Sequence, residues 1–336
     1  MKILLSIVVP TYNSRDYLIP ALTSLVNQTY QLLEIIVVND GSTDDSLEII
    51  ERFAEADARI IILNQENKGY GAACNLGMQH AKGDYLAIFE PDDILDLAFY
   101  SMLIKAASKT QADIIKCHAF YYKCEENLSI SFSLKDACDK LAFRDEVVGL
   151  WKTHPAIWNG IYKRSFLEKN NVIFPETAGA SFQDMQFIVS LYYSEPTIYL
   201  ANYVGYYYRV HPGQSVANAD QKVPLVIENW RIQYDWIRLK ECPNYDFFVF
   251  SCFNQFYSLF STRVQDKMNK QMLLSEMIRI KKLTGVSRLC YSEAHRDLKL
   301  LFWAMAFFPI LNPIIGSIAK LNNAFKNILQ FLRRLL

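Results

Sequence analysis

Four short apolar runs, rich in Ile and Val, lie in the first 90 residues, at residues 3–9, 34–38, 60–63 and 85–89. Helical patterns alternate with them, and the first, from about Arg15 to Gln28, places Tyr17 on its apolar face. Strands that alternate with helices predict βαβ units and a parallel sheet buried on both faces. Because open sheets of this kind bind ligands beyond the carboxyl ends of their strands, the loops after the runs are candidate binding loops.

The alternation ends after Asp93. Residues 94–108 have a helical pattern, Ala112–Tyr122 predicts a strand, and residues 125–150 predict irregular structure. Beyond about residue 220 the pattern is helical, with many aromatic residues. The chain therefore combines an α/β part with a helical C-terminal part.

The stretch 301–319 is almost wholly apolar, and its length is close to the about 20 residues that a helix needs to cross a bilayer. Pro309, Asn312 and Pro313 interrupt it, which favours a segment at a membrane surface over a clean span. Basic residues that follow, such as Arg333, are suited to anionic lipid headgroups. A buried core helix or an oligomer contact is the alternative.

Charge and cysteine content exclude several classes of function. The 336 residues include 35 basic and 35 acidic side chains, a balance that argues against broad binding of nucleic acid. The seven cysteines are odd in number and contain no CxxC pair, so we expect neither a disulfide framework nor a zinc site. A reducing, cytoplasmic compartment fits this composition. The N-terminal apolar run leads directly into Pro10, and we interpret it as a buried strand, not a secretory signal.

The first two loops carry groups suited to a nucleoside. In Pro10-Thr11-Tyr12-Asn13, Pro10 determines how the chain leaves the strand, and Thr11 can offer backbone groups to a planar base. Asp40 ends the second run, where a carboxylate can accept a hydrogen bond from the imide N–H of uracil or from a ribose hydroxyl. Ordinary capping turns, with Asn13 as one cap, are the structural alternative.

The next two loops carry groups suited to a diphosphate and a metal ion. Lys68 and Gly69 precede a helix start, whose backbone amides can attract phosphate. The fourth run ends in Glu90-Pro91-Asp92-Asp93, where three carboxylates repel one another unless a cation binds or a proton is shared. Mg²⁺ and Mn²⁺ prefer such oxygen ligands. A solvated acidic turn that caps the next helix explains this segment equally well.

Together and in this order, the four loops resemble the nucleotide-binding half of family 2 glycosyltransferases. The resemblance is strong over residues 4–115 and weaker to about residue 215. It implies the GT-A nucleotide-diphospho-sugar transferase fold, an α/β fold whose Rossmann-like, mostly parallel sheet is flanked by helices, here with a helical C-terminal extension. The implied domains are a GT-A domain at 1–215, with a nucleotide-binding half at 1–115 and an acceptor half at 116–215, and a helical region at 216–336.

The resemblance also implies roles for residues in the first four loops. Thr11, Asp40 and Asn75 would lie near the nucleoside. Glu90-Pro91-Asp92 stands where the family has its DxD motif, with Glu in place of the first Asp. Asp92 is therefore the expected metal ligand, and Glu90 is expected to contact the ribose.

Two later segments resemble further motifs of the family. Gln183-Asp184 stands where the family has a Glu-Asp pair, so Asp184 is the expected general base, with a helix N-cap as the alternative. Arg209 and His211 resemble a loop that closes over the donor diphosphate. Arg209 is expected to offset phosphate charge and His211 to bind the metal or a phosphate, although an ordinary structural histidine is the alternative. Trp158 fits either an acceptor pocket or core packing.

The implied activity is inverting, metal-dependent transfer of a hexosyl or N-acetylhexosaminyl group in surface-polysaccharide synthesis. The expected partners are a nucleotide-sugar donor, most simply a UDP-sugar, a glycan or lipid-linked glycan acceptor, and Mn²⁺ or Mg²⁺. We expect a protein at the cytoplasmic face of the membrane, bound peripherally, with no nucleic-acid partner. A non-catalytic nucleotide-sugar- or carbohydrate-binding module on the same fold is the alternative, because Glu90 and Gln183 depart from the family pattern. A nucleotidyltransferase or a dinucleotide-binding enzyme is disfavoured because the sequence has neither a basic triphosphate signature nor a GxGxxG motif.

Overall fold

The computed structural model describes residues 2–123, 126–130, 138–139, 141–142, 156–177, 183–211, 214, 219–239, 256, 259 and 264–284. The chain divides into two compact units, Met1–Ala217 and Asn218–Leu336. The apolar stretch 301–319 lies outside the described residues. Within the described ranges, no helix is both long enough and apolar enough to cross a membrane.

The strands of the described residues form one sheet in the first unit. They are β1 Leu5–Thr11, β2 Leu33–Asp40, β3 Ile60–Gln65, β4 Tyr85–Ile88, β5 Ile94–Leu95, β6 Ile114–Lys123, β7 Glu126–Ile130, β8 Leu141–Ala142, β9 Gly160–Lys163 and β10 Ile198–Arg209. Their order is β3-β2-β1-β4-β9-β6-β10-β5, with β7 beside β6 and β8 beside β10. The first four strands are parallel, whereas β9 runs antiparallel between β4 and β6, so the sheet as a whole is mixed.

Helices cover the sheet and make up the described part of the second unit. The first unit contains α1 Arg15–Val26, α2 Ser46–Ala56, α3 Tyr70–His80, α4 Phe99–Thr110, α5 Arg164–Lys169 and α6 Gln183–Tyr193, and the second contains α7 Ala219–Leu239 and α8 Lys267–Thr284. In the second unit, Arg231 on α7 and the buried Glu276 on α8 form a two-pronged ion pair, with N–O distances of 2.7 and 3.2 Å.

The central strands form where the apolar runs predict them, and the deviations occur at sheet edges. The helix expected from residue 94 begins only at Phe99, because Ile94–Leu95 pairs with β10 instead. The stretch expected to be irregular contains Glu126–Ile130, which pairs with β6. Pairing with a partner strand decides the conformation in both places, and local pattern does not reveal that partner.

Close packing places the start of α3 at the carboxyl edge of the sheet. Every residue of β1 and of β2 is buried, as expected for central parallel strands. At Gly77 a Cβ atom would lie 2.3 Å from Cγ1 of Val8, so only glycine permits this approach of α3 to β1. The loops after β1, β2, β3 and β4 consequently meet the first turn of α3 at one edge.

Candidate functional site

Two distant parts of the chain meet at the carboxyl edge of the sheet. The acidic turn, residues 90–93, follows β4. Because β9 is antiparallel to both β4 and β6, β6 runs in the same direction as β4, and β10 runs parallel to β6. The end of β10 therefore delivers Arg209 and His211 to the edge that carries the acidic turn.

Asp92 and His211 form a direct side-chain contact between these two parts. The Nε2 atom of His211 lies 2.9 Å from Oδ2 of Asp92, while Nδ1 of His211 is buried without a hydrogen-bond partner. A carboxylate oxygen and an imidazole nitrogen fit the ligand preferences of Mn²⁺. Within the described ranges, no group of three or more His, Cys, Asp and Glu side chains is arranged to hold a metal ion.

Glu90 differs from Asp92 in its surroundings. Its Oε1 atom accepts a 2.6 Å hydrogen bond from the hydroxyl of Tyr70, the first residue of α3. Burial, and then the charges of Asp92 and Asp184, raise the pKa of Glu90 to about 8. Glu90 therefore holds a proton more readily than an ordinary carboxyl group.

Asp93 joins the acidic turn to β10. It is buried and accepts hydrogen bonds from the hydroxyl of Tyr206, at 2.7 Å, and from the backbone N–H of Arg209, at 2.8 Å. Burial and the charge of Asp92 raise its pKa well above the usual range. The alternative in which this turn caps the next helix is wrong, because α4 begins only at Phe99.

Arg209 and His211 both contact Tyr17 on α1. The guanidinium carbon of Arg209 lies 5.1 Å from the centre of the Tyr17 ring, and the ring centres of Tyr17 and His211 are 4.0 Å apart. The buried Nε atom of Arg209 has no hydrogen-bond partner. The side chains of Arg209 and His211 thus meet at the Tyr17 ring, and His211 also contacts Asp92.

Asp40 organises the third loop. Its Oδ1 atom accepts hydrogen bonds from the backbone N–H of Lys68, at 2.8 Å, and from the side chain of Gln65, at 2.6 Å, and its Oδ2 atom accepts one from the N–H of Gly69, at 2.9 Å. Gly69 has a φ of +94°, which disfavours any side chain. The loop amides expected to face a diphosphate are therefore bonded to Asp40, and the Lys68 side chain is exposed.

The first loop is partly buried and partly open. Pro10 and Thr11 are buried, and the Thr11 hydroxyl donates to the carbonyl of Val9 at 3.2 Å. The ring of Tyr12 is 47% exposed. The capping role considered for Asn13 is wrong, because its Oδ1 atom accepts the N–H of Thr43 at 2.8 Å and so ties the first loop to the second.

Asn75 holds the segment that leads to α6. Its side chain makes two 2.9 Å hydrogen bonds with the backbone of Phe174 and one of 3.0 Å with Glu176. At Gly71 a Cβ atom would lie only 2.0 Å from the carbonyl oxygen of Pro175, so the segment rests directly on the first turn of α3. The polar atoms of Asn75 are therefore engaged with this segment.

Asp184 is the second residue of α6, so it does not occupy the N-cap position considered for it. Its Oδ1 atom accepts the N–H of Met185 at 2.9 Å, and burial raises its pKa to about 6. Its charge also contributes to the raised pKa of Glu90. The neighbouring Gln183 is buried and donates to the backbone and hydroxyl oxygens of Thr177, both at 3.0 Å, which a glutamate could not do.

Trp158 packs in the interior. It is 6% exposed and stacks on Tyr206 and Tyr208, with ring centres 4.4 and 5.2 Å apart. The preceding loop is fastened by the buried Lys116, whose Nζ atom donates to the carbonyl of Ala156 at 2.5 Å. Trp158 therefore supports Tyr206, which in turn contacts Asp93.

Sequence reasoning did not assign site positions to three tyrosines, Tyr17, Tyr70 and Tyr206. Each contacts the acidic turn or the side chains that face it. For Tyr70 a signal existed, because it follows Gly69 at the start of a helix within a candidate loop. For Tyr17 and Tyr206 the local pattern indicates only a buried position.

Comparison with known proteins identifies the family of the chain. Residues 6–182, more than half of the chain, match the family described as Glycosyl transferase family 2. The uncharacterized glycosyltransferase EpsJ of Bacillus subtilis is 29% identical over 69% of this chain and 67% of its own length. The uncharacterized glycosyltransferase YibD of Escherichia coli is 35% identical, but the match spans only 54% of each chain. A cholesterol galactosyltransferase of Borreliella burgdorferi is 26% identical over 87% of both chains.

Solved structures agree with the fold. S. aureus TarS 1-349 in complex with UDP-GlcNAc has a TM-score of 0.56 and 16% identity, covering 88% of this chain and 77% of that one. The mannosyltransferase PcManGT of Pyrobaculum calidifontis, in complex with GDP-Man and Mn²⁺, has a TM-score of 0.55 and 16% identity, covering 94% and 89%. At this level of identity the likeness establishes the GT-A fold alone. With the family match over residues 6–182, it follows that the chain belongs to the family 2 glycosyltransferases.

Proposed function

We propose that this protein transfers a sugar from a nucleotide-diphospho-sugar to an acceptor hydroxyl, with inversion at the anomeric carbon. The observation that supports this most strongly is the 2.9 Å contact of Asp92 with His211 at the sheet edge. A two-ligand site of this kind suits a cation that is shared with a diphosphate. Asp184 on α6 supplies a second carboxylate for acid–base chemistry, and its charge contributes to the raised pKa of Glu90 in the acidic turn.

On the donor side, Asp92 and His211 are the proposed ligands of Mn²⁺ or Mg²⁺. When bound, the cation offsets the negative charge that develops on the departing diphosphate. Arg209 adds a further positive charge beside it. A GT-A relative in complex with GDP-Man and Mn²⁺ supports the use of a cation.

The nucleoside is proposed to lie against the first loop, Pro10–Asn13, where the ring of Tyr12 is open to a planar base. Asp40 supports this site through the loop of Lys68 and Gly69, whose amides it binds. Asn75 is proposed to support the site by holding the segment before α6 on α3. Glu90 remains the candidate for a ribose contact.

On the acceptor side, Asp184 is proposed to take the proton of the attacking hydroxyl. A carboxyl whose pKa is about 6 is largely ionised at neutral pH and yet is a stronger base than an ordinary aspartate. The oxygen then bonds to the anomeric carbon on the face opposite the leaving diphosphate, which accounts for inversion.

The donor class is tested by a thermal-shift screen of nucleotide-sugars with and without Mn²⁺. A ligand that binds only the folded state raises the melting temperature, and at 100 times its Kd it stabilises by about 2.7 kcal/mol. We expect a UDP-sugar to give the largest Mn²⁺-dependent rise, consistent with the UDP-GlcNAc complex of a structural relative. A parallel assay of donor hydrolysis separates an enzyme from a non-catalytic binding module. If no nucleotide-sugar raises the melting temperature, the proposal is wrong.

The acceptor is proposed to be a glycan or a lipid-linked glycan in surface-polysaccharide synthesis. A lipid-bearing acceptor is supported by the cholesterol galactosyltransferase, which matches over 87% of both chains. We further propose that the protein binds the cytoplasmic face of the membrane peripherally, through the apolar stretch 301–319. Both proposals place the acceptor hydroxyl near a membrane surface.

Membrane binding is tested with vesicles. The full chain is expected to sediment with vesicles that contain anionic lipid, and a chain ending after Arg296 is expected to stay in the supernatant, because it lacks the apolar stretch and the basic residues after it. Vesicles of neutral lipid are the control. If the full chain ignores both vesicle types and the truncated chain unfolds, the stretch is part of the protein core.

A further inference from the structure

Tyr17 occupies a position that the proposed reaction does not yet explain. It lies half-buried in the first turn of α1, on the face whose pattern predicts core packing. Its ring contacts two side chains from the far end of β10: the guanidinium of Arg209, at 5.1 Å, and the imidazole of His211, at 4.0 Å between ring centres. Both contacts are made by side chains assigned to the diphosphate and the cation.

The backbone of this segment is held by other groups. The N–H of Arg209 donates to Asp93 at 2.8 Å, and the side chain of Gln214 donates to the carbonyl of Arg209 at 2.5 Å. The N–H of His211 lies 3.4 Å from the side-chain oxygen of Gln214. These bonds place the chain at residues 209–211, but they leave the directions of its two side chains undetermined.

Few polar contacts determine those directions. Nε of Arg209 and Nδ1 of His211 are buried and have no hydrogen-bond partner, so the imidazole is oriented by Asp92 on one edge and by the Tyr17 ring on its face. An aromatic face attracts a guanidinium and packs well against an imidazole. Loss of the Tyr17 ring would free the Arg209 side chain to adopt other rotamers and would leave His211 oriented by Asp92 alone.

We propose that Tyr17 is a positioning residue that orients Arg209 and His211 toward the diphosphate of a nucleotide. The ring fulfils this role, and its hydroxyl is dispensable. This inference rests on the proposed function, because it assumes that the two side chains face a diphosphate. Tyr17 itself need not touch the nucleotide.

The test compares Tyr17→Phe, which keeps the ring, with Tyr17→Leu, which removes it. Affinity for UDP and GDP is measured by calorimetry with Mn²⁺, and affinity for uridine and guanosine, which have no phosphate, is measured beside it. We expect Tyr17→Leu to weaken binding of the nucleotide by about five- to tenfold, the range of a partly buried cation–π contact, while nucleoside affinity and Tyr17→Phe remain at the wild-type level. Equal weakening of nucleotide and nucleoside would indicate a general loosening of the site and would overturn the inference.

Two further variants keep the outcome decisive. Tyr17→Met, whose unbranched side chain reaches further from the backbone than leucine, replaces Tyr17→Leu if that variant has a lowered melting temperature. Asp92→Asn is measured in parallel. Wild-type nucleotide affinity in the Leu and Met variants, together with a loss in Asp92→Asn, refutes the role of Tyr17 and leaves the proposed function intact. If the wild type itself binds neither UDP nor GDP, the proposed function fails, and the inference fails with it.

Discussion

Asp92→Asn is expected to abolish the part of donor binding that depends on a divalent cation and to lower the transfer rate more than about a hundredfold. The substitution keeps the shape of the side chain but removes the charged ligand that faces His211 at 2.9 Å. A bound cation stabilises transition-state charge by several kcal/mol, and each 1.36 kcal/mol corresponds to about a tenfold change in rate. Donor affinity is measured by titration with and without Mn²⁺, and the rate is measured on the same preparation.

Asp93→Asn is the matched control for this experiment. Asp93 lies beside Asp92, but its carboxylate is bonded to Tyr206 and Arg209. Its replacement is therefore expected to cost stability, on the order of 1–3 kcal/mol for a buried hydrogen-bonded group, with metal dependence retained in the folded fraction. Wild-type metal dependence in Asp92→Asn would remove Asp92 from the metal site.

Asp184→Asn is expected to reduce turnover by about 10²–10⁴-fold while leaving affinity for UDP nearly unchanged, because a general base acts on the acceptor hydroxyl. The same assignment predicts the pH dependence of the wild type. Because the pKa of Asp184 is about 6, kcat/KM should fall as the pH drops below about 6, where the carboxylate becomes protonated. Normal turnover in the folded Asn variant would refute this role, and Glu176 and Glu195 would then be examined as bases.

Stability gives an independent check on the same variant. Burial raises the pKa of Asp184 above that of an unfolded aspartate, so the folded state favours the protonated form. Protonated Asp184 therefore contributes to the stability of the folded state at pH below about 4, and this contribution is lost as the pH rises through 6. Asn cannot ionise, and its side-chain oxygen can still accept the N–H of Met185. Asp184→Asn is therefore expected to match the wild-type melting temperature near pH 4 and to exceed it at pH 8, whereas loss of a helix cap would lower it at both.

Much of the candidate site can be predicted from local sequence, because parallel strands end at a common edge. Asp92 and His211 are predicted from two separate motifs, and the structure places their side chains 2.9 Å apart. Asp40 and Asn75 are also predicted as site residues, but their hydrogen bonds go to neighbouring segments of the protein. The motif indicates that a polar group is needed at such a position. The motif does not indicate whether that polar group binds a ligand or forms hydrogen bonds with another segment of the protein.

For a related reason, local sequence patterns do not predict the contacts that Tyr17 makes with Arg209 and His211. Helical periodicity predicts an inward position for this residue, which is half-buried, and periodicity does not indicate which residues of the helix lie at the rim of the sheet. His211 follows Tyr17 by almost two hundred residues, and their contact depends on where β10 ends. That position depends in turn on β9, a four-residue strand with little sequence signal of its own.

The sequence by itself determined the order of the first four strands and the helices between them, the edge at which their loops gather, and the residue types available there. These properties follow from hydrophobic period and from glycine and proline positions, which act over a few residues. Only the tertiary structure decided the partner of each carboxylate: His211 for Asp92, Tyr70 for Glu90, and Tyr206 for Asp93. Two of these three partners lie more than a hundred residues away, and their approach is set by strand register across the antiparallel β9, a long-range property that no local pattern encodes.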